Sequence, residues 1–161
     1  MKKKYRKNVG MVIFNSLGEV LVGERLNFPG SWQFPQGGID EGEDPETAAK
    51  RELFEETGIE NGVIIYELGY WITYDFPEEI RNSGRFKGYF GQKQKWFLIF
   101  WDNPSSLCIL DKHEQEFGVV KFIPLNSCLE TIVKFKLSVY ETLVKEFSPI
   151  ISNYIKQLKK V

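Results

Sequence analysis

Clusters of hydrophobic residues in the first part of the chain predict a β-hairpin. Residues 9–14 are a β-rich run, Val-Gly-Met-Val-Ile-Phe. Residues 15–18 have turn chemistry, and residues 19–22 fit the returning strand. Residues 1–7 are basic and predict a mobile arm, whereas residues 26–31 contain Asn, Pro and Gly and predict a loop.

Further strands are predicted where aromatic and aliphatic residues concentrate later in the chain. Residues 96–101 are almost wholly apolar, which is typical of a central strand covered on both faces. Residues 63–74 are rich in Ile, Tyr and Trp and should contain strands, and residues 117–123 predict another, which Pro124 ends. Residues 77–93 predict a long loop because they combine few aliphatic residues with several glycines and basic residues.

Helical signals appear in the middle of the chain and again at its end. Asp44 is a suitable N-cap, the proline after it fits the first helical position, and Gly58 suits a C-terminal cap. These signals predict a helix over Pro45–Thr57. From Ser127 onward the hydrophobic spacing is helical, and residues 149–161 predict a tail helix or extension.

The order of these elements predicts the fold class. Strands on both sides of one early helix, with helices at the end, favour an α/β fold in which a mixed β-sheet lies between helices. The 161 residues contain neither a repeat nor a linker, so we expect one domain over residues 1–161. Hydrophobic residues make up 42% of the chain, enough to bury a sizeable core.

Charge and cysteine content exclude several classes of protein. The net charge is −1, so any site for a polyanion must be a local patch. The two cysteines, Cys108 and Cys128, are too widely spaced for a zinc site or a disulfide framework, which suits a reducing cytoplasm. No stretch reaches the ~18 apolar residues that a membrane span needs, and no signal peptide is evident. We therefore expect a soluble cytoplasmic protein without a membrane partner.

Three glutamates in the central helix are spaced to share one face. Glu52, Glu55 and Glu56 stand at positions i, i+3 and i+4. Their repulsion in solvent costs only ~0.2–0.5 kcal/mol per pair, so the triplet alone is more typical of a solvated acidic face. The preceding residues 37–43 add glycines and further acids. Oxygen ligands without His or Cys suit Mg²⁺ or Mn²⁺ rather than zinc.

The same segment resembles the Nudix box. That motif is Gly, five residues, Glu, seven residues, Arg-Glu, an aliphatic residue, any residue, Glu-Glu, any residue, Gly and an aliphatic residue. The nine matching positions are Gly37, Glu43, Arg51, Glu52, Leu53, Glu55, Glu56, Gly58 and Ile59. A match at every specified position removes most of the support for a merely solvated acidic face.

The resemblance implies a Nudix α/β/α sandwich that hydrolyses a phosphoanhydride bond with the help of Mg²⁺ or Mn²⁺, and with more than one ion. The implied metal ligands are Glu52, Glu55, Glu56 and the carbonyl of Gly37 or Gly38. Arg51 would orient a glutamate, in the first place Glu43, by a charge-assisted bond. The alternative for Arg51 is a surface ion pair with another nearby acid.

A further carboxylate is expected from the loop before the strand at residues 117–123. Glu116 is our candidate for a metal ligand or for the base that removes a proton from water. Glu114 in the same loop is the competing choice, and both are also consistent with ordinary exposed acids. His113, the only histidine, is expected to be solvated.

Similarity beyond the box indicates one branch of the family. Residues 5–10, 31–38, 91–97 and 134–140 resemble the bacterial RNA pyrophosphohydrolases and dinucleoside polyphosphate hydrolases. The residues that would contact phosphates or the RNA backbone are Arg6, Arg25, Gln94, Lys95 and Lys136. Phe135 would stack on a base, which contributes ~1–3 kcal/mol per base, or would belong to the helix core.

Two basic segments carry alternative interpretations. Lys93 and Lys95 either contact the substrate or are solvated charges flanking a buried strand. Residues 81–90 mix basic and aromatic side chains, so they either guide RNA or form a mobile surface loop.

The preferred function is that of an RNA pyrophosphohydrolase, which converts a 5′-triphosphate RNA end into a 5′-monophosphate. The first alternative is hydrolysis of dinucleoside polyphosphates such as diadenosine tetraphosphate, since the same metal chemistry serves both. The second is a non-catalytic RNA-binding protein on the same fold, which the complete set of box glutamates disfavours. We expect the partner to be an RNA 5′ end or a dinucleoside polyphosphate, and we favour a monomer.

Overall fold

A computed structural model of the chain describes residues 2–161, apart from the side chain at position 85. The strands are β1 (Tyr5–Phe14), β2 (Glu19–Arg25), β3 (Trp32–Gln33), β4 (Gln36–Gly38), β5 (Val63–Glu67), β6 (Ile72–Asp75), β7 (Gly91–Phe100) and β8 (Phe117–Pro124). The α-helices are α1 (Pro45–Thr57), α2 (Glu78–Arg81), α3 (Cys128–Thr131) and α4 (Leu137–Leu158). A short 3₁₀ turn, Lys134–Lys136, leads into α4.

The eight strands form one mixed sheet around the long pair β1 and β7. These two strands are parallel over ten residues each, from Tyr5 opposite Gly91 to Phe14 opposite Phe100. The main path of the sheet is β3-β2-β1-β7-β5, with β4 paired to β1, β6 to β7 and β8 to β2, all antiparallel. The predicted mixed sheet is therefore confirmed.

Helices cover the two faces of this sheet. On one face, Ala48, Ala49 and Leu53 of α1 pack in a core with Met11 and Phe97. On the opposite face, the buried side of α4 packs in a second core with Val12, Phe14, Trp96 and Leu98. Because neighbouring strand residues point to opposite faces, adjacent positions of β1 and β7 contribute to different cores. This layering is the predicted α/β/α sandwich.

The helix that carries the acidic triplet has the predicted bounds. The Asp44 side chain accepts a hydrogen bond from the Thr47 N–H at 3.2 Å. Gly58 has φ +75°, and its N–H donates to the Phe54 carbonyl at 2.8 Å. A left-handed glycine after the last turn is a common helix terminator because it has no Cβ to strain.

Two predicted boundaries were wrong. The basic arm of residues 1–7 contributes residues 5–7 to β1, because their backbone pairs with β7; Met1 lies outside the described residues. The predicted loop at residues 77–93 contains α2 and the start of β7. The tail at residues 149–161, for which a helix or an extension was predicted, contains the end of α4, which continues through Pro149 to Leu158.

Two further observations bear on the expected environment. Cys108 is half-buried and Cys128 is buried, and both are free thiols. Within residues 2–161, no helix is long and apolar enough to cross a membrane.

Candidate active site

One pocket brings the α1 glutamates together with basic residues from distant strands. It lies between α1, the beginning of β1 and β7, the loop before β8 and the turn before α4. The predicted site residues that line it are Arg6, Arg25, Gly37, Glu52, Glu55, Glu56, Glu116, Phe135 and Lys136. The three glutamates therefore do lie on one side of one pocket, as their spacing predicts.

The end of β4, just before the loop that leads into α1, fits closely against the helix. A Cβ atom built on Gly37 would overlap the carboxyl group of Glu52. A Cβ on Gly38 would overlap the guanidinium of Arg6, which arrives from β1. Both glycines are thus needed for close approach, and they set the depth at which Glu52 and Arg6 enter the pocket.

The Arg51 guanidinium ties this loop to the helix. Its Nε and Nη2 donate to the two carboxylate oxygens of Glu43 at 2.8 and 2.9 Å, and Nη2 also donates to the Gly38 carbonyl at 2.9 Å. Its Nη1 donates to Glu52 Oε1 at 2.9 Å and to Glu55 Oε2 at 3.2 Å. The expected charge-assisted bond to Glu43 is present and bidentate. It lowers the pKa of Glu43 and raises that of Arg51.

Glu56 is the most buried of the three helix glutamates. Its side chain is 6% exposed, and its Oε2 atom has no hydrogen-bond partner. Burial is the largest cause that raises the pKa of Glu56 well above its usual value, and the charges of Glu52 and Glu116 raise it further. A backbone hydrogen bond from Gln36 and the charge of Arg25 act in the opposite direction. A proton or a cation at Oε2 would relieve this unpaired charge.

The same surroundings also raise the pKa of Glu52, but to a smaller extent. Burial raises the pKa of its carboxyl above the usual value, and the hydrogen bond from Arg51 partly offsets this. The negative charge of Glu55 adds to the rise, and the positive charge of Arg6 reduces it. The helix face therefore carries carboxylates whose ionised forms require positive partners.

Cationic and aromatic side chains form the opposite wall of the pocket. Arg6 Nη1 donates to Gln92 Oε1 at 2.8 Å, and Lys136 Nζ donates to Gln33 Oε1 at 3.3 Å. Lys136 is buried. Phe135 is half-buried, with its ring 6.0 Å from that of Tyr74, so it both packs on the core and lines the pocket.

The loop before β8 also reaches the pocket. His113, Glu114 and Glu116 all line it. Of the two carboxylates, Glu116 is the one whose charge raises the pKa of Glu56. Because Coulomb interactions weaken with distance, this favours Glu116 over Glu114 as the acid that acts together with α1.

Two predicted substrate contacts lie outside the pocket lining. Gln94 is buried behind it, where its Nε2 donates to Asn8 Oδ1 at 2.9 Å and to Gln36 Oε1 at 3.0 Å. Lys95 points to the other face of the sheet, because successive residues of a strand alternate in direction. Gln92, two residues before Gln94 and on the same face, lines the pocket instead.

The sequence analysis missed an apolar and amide-rich part of the pocket. The residues concerned are Asn8, Gln33, Gln36, Tyr74, Phe76, Ile80 and Gln92; Phe86, from the basic and aromatic segment at residues 81–90, also lines the pocket. The available signal was the polar pair Gln92 and Gln94 at alternate positions leading into a strand that is otherwise apolar. Burial raises the pKa of Tyr74 to about 12, so its hydroxyl stays protonated while it accepts a hydrogen bond from Gln92.

The residues suit a divalent cation. Their donor atoms are carboxylate and carbonyl oxygens, and the unpartnered Oε2 of buried Glu56 gives a cation a specific place. Among the described residues, no three His, Cys, Asp or Glu side chains are already grouped around one point. Like-charged carboxylates repel one another, and Arg51 holds only one oxygen each of Glu52 and Glu55.

Comparison with known proteins places this geometry in a family. The NUDIX domain matches residues 4–143. A protein from Rhodospirillum rubrum called RNA pyrophosphohydrolase is 42% identical over 147 residues, covering 89% of this chain and 87% of its own. A protein of the same name from Helicobacter pylori is 41% identical over 151 residues, covering 91% of this chain and 96% of its own.

A solved structure shows the same fold. The dihydroneopterin triphosphate pyrophosphohydrolase of E. coli superimposes with a TM-score of 0.70 over 89% of this chain and 99% of its own. Its sequence identity is 19%, so the likeness concerns the fold alone.

Proposed function

Since the chain belongs to the NUDIX domain family of hydrolases, we propose that it is an RNA pyrophosphohydrolase that converts a 5′-triphosphate RNA end into a 5′-monophosphate. The observation that carries this proposal is the two-sided pocket. Acidic side chains of α1 face it from one side and cationic ones from β1, β2 and the turn before α4 from the other. The proposed substrate class, RNA, comes from the two relatives described above, which are both called RNA pyrophosphohydrolase.

The acidic side of the pocket suits the hydrolytic half of the reaction. Nudix hydrolases use divalent metal ions, and the residues that would hold them here are Glu52, Glu55, Glu56, Glu116 and the Gly37 carbonyl. A bound divalent cation neutralises phosphate oxygens, lowers the pKa of coordinated water and favours in-line geometry. We propose Mg²⁺ or Mn²⁺, with more than one ion.

The cationic side suits binding of the polyphosphate. Arg6, Arg25 and Lys136 provide positive charge that would pair with phosphate oxygens, and Arg6 and Lys136 are each held in place by a glutamine. Arginine is well matched to phosphate because its planar fork donates two parallel hydrogen bonds. Phe135 lines the same wall and would stack on a nucleobase.

A carboxylate must take the proton from the attacking water. Glu116 is our first choice, because it comes from a loop rather than from the crowded helix face and still interacts electrostatically with Glu56. Glu56 is the alternative, since its raised pKa favours proton uptake.

The test is hydrolysis of a 5′-triphosphorylated RNA by the purified protein with Mg²⁺ or Mn²⁺. We expect pyrophosphate or successive phosphates to be released and a 5′-monophosphate to remain. Glu55→Gln should lower kcat/KM by at least ~10²-fold, the scale of losing one preorganised electrostatic group. Glu60→Gln is the matched control, because Glu60 is exposed just beyond the helix and should retain full activity.

A parallel assay with diadenosine tetraphosphate separates the two substrate classes. Turnover hundreds of times faster on the dinucleotide would replace RNA by dinucleoside polyphosphates as the substrate. An unchanged rate in Glu55→Gln would contradict its assignment as a metal ligand. A complete lack of hydrolysis on any nucleotide-capped substrate would overturn the proposed activity as a whole.

A further inference from the structure

A cluster of lysines surrounds one tryptophan on the face of the sheet that α1 covers, opposite the face on which Arg6 and Gln92 line the pocket. The ammonium groups of Lys7, Lys93 and Lys95 lie 6.0, 5.5 and 6.0 Å from the ring centroid of Trp71. We call these four residues the back patch. Trp71 is half-buried, whereas Lys7 and Lys93 are exposed.

The back patch concentrates positive charge that the described part of the protein does not neutralise. Lys7 and Lys93 are direct neighbours across the β1–β7 pair, and Lys95 follows two residues later on the same face. Like charges placed directly opposite each other destabilise a sheet. Within residues 2–161, none of the three lysines forms an ion pair with a carboxylate. An anionic ligand would remove this repulsion.

The back patch lies close to the pocket, because the two are formed by adjacent residues of the same strands. Arg6 and Gln92 line the pocket, and the next residue on each strand, Lys7 and Lys93, belongs to the back patch. A polymer that leaves the pocket here needs only to pass the beginning of β1 and β7, which forms this edge of the sheet, to reach the lysines.

Cations and aromatic rings also follow that edge. Lys3 Nζ lies 4.4 Å and Arg81 Cζ 4.0 Å from the ring centroid of Phe90. Lys4 Nζ lies 5.1 Å from the ring centroid of Tyr89. The basic and aromatic character of the pocket wall thus continues from the pocket to the back patch.

We infer that this edge and the back patch bind the single-stranded RNA that follows the 5′ end in the pocket, an inference that rests on the proposed function. Phosphates would pair with the lysines, and bases would stack on the aromatic rings. Single-strand binding combines these two features, since positive charge tracks the backbone and every base offers a face to an aromatic ring. An acidic protein would use the lysines but would not need aromatic rings interleaved with them.

The test measures binding of a 5′-hydroxyl single-stranded RNA of about 20 nucleotides, in EDTA, by fluorescence anisotropy over a range of salt concentrations. Such an RNA carries no phosphoanhydride, so its binding is independent of hydrolysis. The variant is K7Q/K93Q/K95Q, which keeps much of each side chain's length but removes three charges. Each lost phosphate contact lowers the slope of log K against log salt by about 0.7 for single strands. The variant should therefore show a slope flatter by about 2 and binding at least ~10-fold weaker at low salt.

Two further variants control for folding and for total charge. K156Q/K159Q/K160Q removes three exposed lysines at the end of α4 and should bind RNA like the wild type. K7R/K93R/K95R keeps the charges and should also bind. Equal affinity and salt slope in K7Q/K93Q/K95Q and the wild type would overturn the inference, as would an equal loss in the α4 control.

Hydrolysis assays separate this inference from the proposed function. K7Q/K93Q/K95Q should have a higher KM for a triphosphorylated RNA of about 20 nucleotides. Its kcat/KM for a triphosphorylated dinucleotide should be unchanged, because that substrate lacks the following chain that the back patch would bind. A protein that binds the hydroxyl RNA through these lysines but hydrolyses no RNA end would refute the proposed function and leave the RNA surface supported. An equal loss on the long and short substrates would instead refute the separate surface.

Discussion

Glu56→Gln should make the metal-free protein more stable while abolishing its activity. The Glu56 side chain is buried, its Oε2 atom has no hydrogen-bond partner, and Glu52 and Glu116 add negative charge nearby. Without a cation, the folded protein at neutral or higher pH must therefore keep either an unpaired buried charge or a bound proton there. Glutamine has almost the same shape and carries no charge, so it removes the cost of the buried charge, although its amide still lacks a partner at this position.

The magnitude follows from the charge of one buried group that has no partner. Leaving a buried polar atom without a partner costs ~1–3 kcal/mol, and more when the atom is charged. The variant should therefore unfold with a free energy at least ~1 kcal/mol higher than the wild type at about pH 8. Because the folded-state pKa of Glu56 is raised, the folded protein binds the extra proton, so wild-type stability declines as pH rises above the ordinary carboxyl pKa. The difference between variant and wild type should therefore grow from acid to alkaline pH.

The assay is urea unfolding in EDTA at several pH values, repeated with Mg²⁺. Mg²⁺ should stabilise the wild type by about 2.7 kcal/mol when its concentration is a hundred times the Kd, and should stabilise the variant much less. Glu55→Gln is the matched control: Glu55 accepts a bond from Arg51 at 3.2 Å, so the same chemical change there should not stabilise the protein. The reasoning fails if metal-free Glu56→Gln is less stable than the wild type at about pH 8, or if both decline equally with pH.

Two other substitutions test the geometry of the loop and helix. Gly37→Ala should reduce kcat/KM at least ~10-fold, because its Cβ would displace the Glu52 carboxyl group. Gly69→Ala is the control and should keep its activity, since a Cβ there meets no atom within 4 Å. Equal activities of the two variants would contradict this prediction. Arg51→Lys keeps the charge but loses the bidentate bond to Glu43, and urea unfolding should show a loss of about 2 kcal/mol, since bonds to charged groups contribute ~1.5–3 kcal/mol each. A loss below ~0.5 kcal/mol would show that a single ammonium group replaces the fork.

The sequence predicted best those features that depend on neighbouring residues. The bounds of α1 follow from Asp44 and Gly58, which act on the backbone within one turn of the helix. The acidic face follows in the same way from spacing along one helix. By contrast, the start of β1 at Tyr5 and of β7 at Gly91 depends on their pairing with each other, and these residues lie far apart in the chain. Nothing within residues 1–7 distinguishes a basic arm from the start of a central strand.

The direction of side chains in β7 shows a second limit. Residues 96–101 are apolar on both faces, so their hydrophobic pattern does not reveal which alternate positions face α1 and which face α4. Gln94 and Lys95 were both predicted to contact substrate, yet neighbouring strand residues cannot face the same pocket. The alternation of side chains therefore shows that either Gln94 or Lys95 faces away from the pocket. The packing of Trp96 in the core with α4 shows that Lys95, its neighbour, is the one that faces away.

The cationic side of the pocket depends on contacts over still longer distances. The box supplies its glutamates from one helix, whereas Arg6, Arg25 and Lys136 reach the same pocket from three separate elements. Gly38 connects the two sets, because the Arg6 guanidinium fills the space where its Cβ would be. A residue next to the first glycine of the motif is therefore constrained by an arginine on β1. The acidic side of the pocket is encoded locally, but its cationic side depends on how the sheet assembles around the motif.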